Sequence, residues 1–137
     1  MVIYTVGTLL VPSLDVFQQQ QLEFDNNTVQ GARLLVVFIT LVIIPPITEE
    51  IVFRGFLYNS LKKVTMKRVA VVITSILFAA AHLEFFGENP LNFIAAIDTF
   101  VLSLFLIWVY EKTENLWAPI MLHALKNAIA FVVLFLI

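Results

Sequence analysis

Two adjacent glutamates and an arginine stand in Thr48-Glu49-Glu50-Ile51-Val52-Phe53-Arg54-Gly55, directly after the apolar run Leu34 to Ile47. His82 falls near the far end of a second apolar stretch, and His123 and Asn127 lie in a later one. A carboxylate beside an imidazole can hold a water molecule and take its proton, and an imidazole or amide N–H can stabilise a developing oxyanion. Hydrolysis at a carbonyl is the chemistry these residue types suit. Their setting makes the signal sharper, because an acid or base at the middle of a spanning helix costs about 2.5–3.5 kcal/mol on insertion scales. Groups that expensive usually pair with one another and serve a function.

Spacing separates the roles. Glu50 and Arg54 are i,i+4 with the acid first, the favourable order for a pair along one helix face. Glu49 points about 100° away from Glu50 and is free to meet something else. His123 and Asn127 are also i,i+4 and share one stripe, and Phe78, four before His82, is expected to pack beneath it. Glu50 precedes Lys62 by 12 positions and His82 follows Arg68 by 14. At about 1.5 Å per residue both lie roughly 18–21 Å from the same basic loop. Asn127 lies about 15 Å into its own helix, with His123 one turn shallower. Glu49 and His82 are therefore expected at matching depth.

The elements that carry these residues are membrane helices by composition. The chain has 137 residues, 61% hydrophobic and 13% charged, with a mean hydropathy of +0.96. That length allows one domain, and a soluble domain of this size needs more polar surface. The pattern predicts an all-α polytopic transmembrane helix bundle with four spans: Ala32 to Ile44 and onward to Leu61, Val69 to Phe86, Leu91 to Tyr110, and Leu116 to Ile137. Short connections favour antiparallel neighbours. Residues 1–31 read as an N-terminal apolar segment and polar loop, an interfacial or partial span without the basic start of a signal peptide; residues 32–137 form the transmembrane core. Pro45-Pro46 removes two backbone donors, so a kink or break is expected there. The carbonyls freed at that point must be satisfied by protein or water, which suggests a wet cavity beside Glu49.

Composition also excludes. The net charge of −2 and the absence of a basic patch argue against nucleic acid as a partner. With no cysteine there is no disulfide and no thiolate metal site. Lys62, Lys63, Lys67 and Arg68 crowd one short loop, so the positive-inside rule places residues 62–68 in the cytoplasm.

Taken in order, Glu49-Glu50-x-x-x-Arg54, Phe78-x-x-x-His82 and His123-x-x-x-Asn127 resemble the CPBP family of intramembrane proteases. That family contains the type II CAAX prenyl endopeptidases and bacteriocin-processing and self-immunity (Abi) proteins. The resemblance runs from about Leu34 to the C-terminus. It implies an integral protein of a bacterial cytoplasmic membrane that hydrolyses a peptide bond in a prenylated CAAX-like or bacteriocin-type peptide. By position it assigns Glu49 and His82 to the attacking water, His123 and Asn127 to the oxyanion, and Glu50 and Arg54 to the support of the site. No metal or other cofactor is expected; zinc, held by two histidines and a glutamate, is the alternative. The expected partners are the peptide or lipidated-peptide substrate and membrane lipid. A partner subunit or oligomer would replace the helices that relatives carry before the Glu-Glu motif. A second class of function, a non-catalytic bacteriocin self-immunity or peptide-binding membrane protein, fits the same fold. A third, an ion-conducting bundle built on Glu, His and Asp98, leaves the Glu50/Arg54 spacing unexplained. Asp98 and Lys126, outside all three motifs, are candidates for an intramembrane ion pair.

Overall fold

A computed structural model describes residues 31–83 and 93–136. Expectations for the N-terminal segment and for the turn at residues 87–90 lie outside those residues. The described residues are helical, with no strand among them. In chain order they form α1 (Ala32–Phe38), a π-helical stretch (Ile39–Ile43), α2 (Ile44–Glu50), a second π-helical stretch (Ile51–Tyr58) and α3 (Asn59–Val64). After a two-residue turn come α4 (Lys67–Ala81), α5 (Phe93–Thr113) and α6 (Trp117–Phe135). Among the described residues, Arg33–Val64 and Trp117–Phe135 are helices long and apolar enough to cross a membrane.

The expected break at Pro45-Pro46 does not occur: Arg33–Val64 is helical throughout. The preceding turn adapts instead. Ile44 N–H donates to Ile39 O, an i→i+5 bond that widens the helix just before the prolines. The second helix of the pattern also differs. It was expected to reach Phe86, but α4 stops at Ala81 after 15 residues, about 22 Å and shorter than a bilayer's apolar core. The stop is local, because His82 leaves the helical region (φ −100°, ψ 1°) and its ring takes up one of the last carbonyls, as described below.

The described residues fall into two compact units, residues 31–45 with 124–136, and residues 46–83 with 93–123. In the first, Val37 and Val42 of the opening helix bury with Phe131 of α6, flanked by Leu41, Ala128 and Phe135. Phe38 and Phe131 meet edge to face at 5.2 Å, a preferred aromatic arrangement.

In the second unit α4 and α5 form the principal helix pair. Tyr58, Ala70 and Ile107 make a small core with Leu61, Val71 and Tyr110 around them. One end of this unit is tied by polar groups. Lys67 and Arg68 open α4, where the helix dipole disfavours cations, and Glu111 of α5 answers Lys67. Its Oε1 accepts from Lys62 Nζ at 2.7 Å and from the buried Tyr58 hydroxyl at 2.9 Å, and its Oε2 accepts from Lys67. α5 then ends with Glu114 at positive φ (50°), and Asn115 Oδ1 accepts from Trp117 N–H at 2.9 Å to cap α6.

Exposed apolar side chains recur at three- and four-residue spacing along the outer faces. Ile97, Val101, Phe105 and Trp108 line α5, and Met121, Leu125, Ile129, Val132 and Leu136 line α6. Stripes of this extent are what helices in contact with lipid present. Asp98 and Lys126 are exposed on their own helices, Asp98 in one unit and Lys126 in the other.

Candidate active site

The second unit brings five of the six sequence-predicted residues together. Glu50 and Arg54 are fully buried, and Arg54 Nη1 donates to Glu50 Oε1 at 3.0 Å. The i,i+4 spacing produces this pair even though Arg54 lies in the π-helical stretch. Arg54 Nη2 reaches α5, donating to Ser103 Oγ at 3.0 Å and to Ser103 O at 3.3 Å. On its flat side the guanidinium lies 4.4 Å from the centroid of the Phe78 ring of α4, within cation–π range. One buried cation is thus held by three helices.

Glu50 Oε1 has a second partner, His123 Nδ1 at 3.0 Å. Beside the arginine the carboxylate is an acceptor, so Nδ1 carries the hydrogen and the neutral ring leaves its lone pair on Nε2. His82 is set by a different device. The last carbonyls of a helix have no intrahelical donor, and His82 Nδ1 lies 2.8 Å from Phe78 O at the end of α4. A carbonyl can only accept, so here too Nδ1 carries the hydrogen and Nε2 is the free nitrogen. Phe78 packs under the ring at 4.7 Å between centroids, as its spacing from His82 predicts.

Both free nitrogens face one atom. Glu49 Oε2 lies 3.6 Å from His82 Nε2 and 3.9 Å from His123 Nε2. These separations exceed a direct hydrogen bond, and Glu49 Oε2 is buried without a hydrogen-bond partner among the described residues. In neutral rings all three atoms are acceptors, so nothing in the trio supplies a hydrogen. Such a trio suits a small donor, and water, with two hydrogens, is the simplest. Glu49 keeps 25% of its side chain exposed and His82 36%, against 4% for His123. The exposed side of the site is therefore the Glu49–His82 side. Among the described residues no group of three or more His, Cys, Asp or Glu side chains could hold a metal ion.

Asn127 belongs to the other compact unit, where its Nδ2 donates to Leu41 O at 3.1 Å. Ser103 and the Glu50–His123 bond had no sequence signal of their own. A single serine in an apolar helix has no periodic partner, and the i,i+4 pattern already satisfied Glu50 with Arg54. Thr74 Oγ1, Ser75 Oγ, Arg54 Nε and Glu50 Oε2 are further buried polar atoms without partners among the described residues.

Comparison with known proteins identifies the family. Residues 31–129 match the family model described as type II CAAX prenyl endopeptidase Rce1-like, a range that contains all six motif residues. The chain is 36% identical over 111 residues to the membrane-embedded CAAX protease MroQ of Staphylococcus aureus (strain USA300), covering 76% of this chain and 41% of that protein. It is 33% identical over 85 residues to the UPF0177 protein YxdF of Lactococcus lactis subsp. lactis (strain IL1403), covering 62% of this chain and 42% of the relative. The chain thus spans about two-fifths of the length of these curated relatives. No solved structure matches it significantly. A helical chain that carries the three motifs in order and matches the family model over most of its length belongs to the Rce1-like type II CAAX prenyl endopeptidase family of membrane proteins.

Proposed function

We propose that this chain forms the catalytic part of an endopeptidase that hydrolyses a membrane-associated peptide, with a water activated by Glu49 and His82. The observation that carries the reading is the convergence of His82 Nε2 and His123 Nε2, at 3.6 and 3.9 Å, on Glu49 Oε2, which has no hydrogen-bond partner among the described residues. A water between Glu49 Oε2 and His82 Nε2 donates one hydrogen to each, leaving an oxygen lone pair for the scissile carbonyl carbon. As the C–O bond forms, one water proton passes to Glu49 and the carbonyl oxygen becomes an oxyanion. Collapse of that intermediate breaks the C–N bond, and the proton on Glu49 goes to the leaving amine.

His123 serves the oxyanion through Nε2. This role uses the doubly protonated ring, which binds a solvent proton on Nε2 before the attack and keeps it throughout: Nδ1–H stays on Glu50, Nε2–H donates to the oxyanion, and the Glu50 carboxylate meets the ring's charge. Arg54 in turn holds Glu50 in place through the 3.0 Å bond between them, so the pair supports the site without touching the substrate. Asn127 is assigned the second donor to the oxyanion. Each such donor is worth several kcal/mol of transition-state stabilisation in a water-poor site.

The substrate class we propose is a CAAX-like lipidated peptide, supported by the family's description, with a bacteriocin-type peptide as the other candidate. The basic loop at residues 62–68 is placed on the cytoplasmic side, and the exposed apolar stripes in lipid. The test uses wild type, Glu49→Ala and His82→Ala in membranes of an expressing host. A farnesylated CAAX-type peptide and a bacteriocin leader peptide serve as cleavage probes, and protection of the host against a bacteriocin is the second readout. Cleavage by wild type that both substitutions abolish supports the protease. Full protection by all three forms with no peptide cut by any supports a non-catalytic immunity protein instead.

A further inference from the structure

The bond between Asn127 and Leu41 is not an incidental polar contact between helices. A helix carbonyl finds its donor four residues on in an α-turn, five on in a π-turn, or three on in a tighter one. For Leu41 the first two positions are Pro45 and Pro46, neither of which has an N–H. The third, Ile44, donates to Ile39 O across the π-turn. Every local backbone donor for Leu41 O is therefore removed, two by covalent structure and one by prior commitment. Leu41 packs against Val37, Val42 and Phe131 and its bond to Asn127 is partly buried, a setting in which an unpaired carbonyl is costly. Asn127 Nδ2, at 3.1 Å, is the donor it finds.

We propose that Asn127 stands in for the backbone donor that Pro45 and Pro46 withhold from Leu41, and that this bond is what orients its amide. The acceptor is a carbonyl, so the nitrogen end of the amide must face it; the flipped amide would set oxygen against oxygen. One N–H is then consumed and the second is held in the amide plane, presented rather than free to rotate. The proline pair becomes a positioning device for a side chain more than 80 residues away in sequence, an offset the bond itself spans (|i−j| = 86).

The consequence for turnover rests on the oxyanion role proposed above, but the pairing does not, and the tests keep them apart. Four proteins are compared by reversible unfolding in detergent micelles: wild type, Asn127→Ala, Pro45→Ala/Pro46→Ala, and the triple variant. In the wild-type background Asn127→Ala orphans Leu41 O and lowers the folding equilibrium constant about tenfold. In the double-alanine background the restored backbone N–H groups satisfy Leu41 O, and the same substitution changes that constant less than twofold. An equal loss in both backgrounds overturns the pairing. The second readout is the side-chain amide of Asn127 in 15N-asparagine-labelled protein, assigned by its loss in Asn127→Ala. One of its two hydrogens exchanges slowly with solvent in wild type and quickly in the double-alanine protein; unchanged exchange also overturns the pairing. Finally, the double-alanine protein, which folds no less stably, cleaves the farnesylated peptide with lower kcat and unchanged KM. An intact kcat alongside a positive unfolding cycle refutes the positioning role while leaving the pairing in place.

Discussion

Replacing Arg54 by alanine tests the architecture beneath the site. Glu50 and Arg54 are both fully buried, and the guanidinium nitrogen lies 3.0 Å from Glu50 Oε1. At that distance, with an effective dielectric of about 20, the Coulomb attraction is roughly 5 kcal/mol before the cost of burying both charges is subtracted. That cost falls on each ion separately, so the pair nets little, but removing one member leaves the other stranded. In Arg54→Ala the Glu50 carboxylate keeps only His123, and Ser103 O and Oγ lose their donor. The expected loss is about 3–5 kcal/mol, measured by reversible unfolding in micelles. A Glu50→Gln/Arg54→Met protein removes both charges and retains an acceptor for His123 Nδ1, and it should recover to within about 1–2 kcal/mol of wild type. A loss below about 1 kcal/mol in Arg54→Ala would refute the reasoning. So would a double variant whose cost equals the sum of the two single ones.

Three further outcomes follow from individual contacts. Phe78→Ala empties the floor shared by Arg54, His82 and Phe53 and should cost about 3–5 kcal/mol of stability in the same unfolding experiment. Both histidines, when neutral, should carry hydrogen on Nδ1, because Phe78 O and Glu50 Oε1 are their acceptors; 15N spectra of histidine-labelled protein check this, and an Nε2–H form at either ring contradicts the geometry. At Glu111 partial burial raises the carboxyl, but hydrogen bonds from Lys62, Lys67 and Tyr58 outweigh it and hold the group down to about 2, against an ordinary 4.5. A depressed carboxyl contributes its stability above its unfolded value and loses it as the pH falls. Acid should therefore weaken the tie progressively between about pH 4.5 and pH 2, and unfolding midpoints of Glu111→Gln should lack that component of the pH dependence.

Some of this organisation was legible from residue spacing, and the limits have physical causes. The division of labour between the two glutamates followed from the 100° step between neighbours on a helix, and Glu49 does lie beside His82 while Glu50 binds Arg54. The depth estimate worked because Glu50 and His82 are counted from the same tight turn at Thr65 and Met66. It gave no hint that His123 would bond Glu50, since that contact depends on how far His123 projects across helices. The prolines misled the reading of the backbone, for π-turns absorb a missing donor without ending the helix, and no local pattern announces them. Yet the demand they create, a carbonyl needing a partner, was correctly anticipated, and Asn127 supplies it. The early end of α4 was invisible in a run as apolar as Val69 to Phe86. It rests on one histidine ring binding its own helix terminus.

The central claim is that Glu49 is the base, and Glu49→Gln tests it most directly. The substitution keeps size and shape, removes the carboxylate, and touches an oxygen that has no hydrogen bond to lose among the described residues. Wild type and Glu49→Gln are reconstituted side by side in liposomes, with release of the C-terminal fragment of a farnesylated CAAX-type peptide as the measurement and the unfolding midpoint as control. A loss of at least about 100-fold in kcat at an unchanged midpoint is the predicted result. A Glu49→Gln protein that cleaves at the wild-type rate would contradict it.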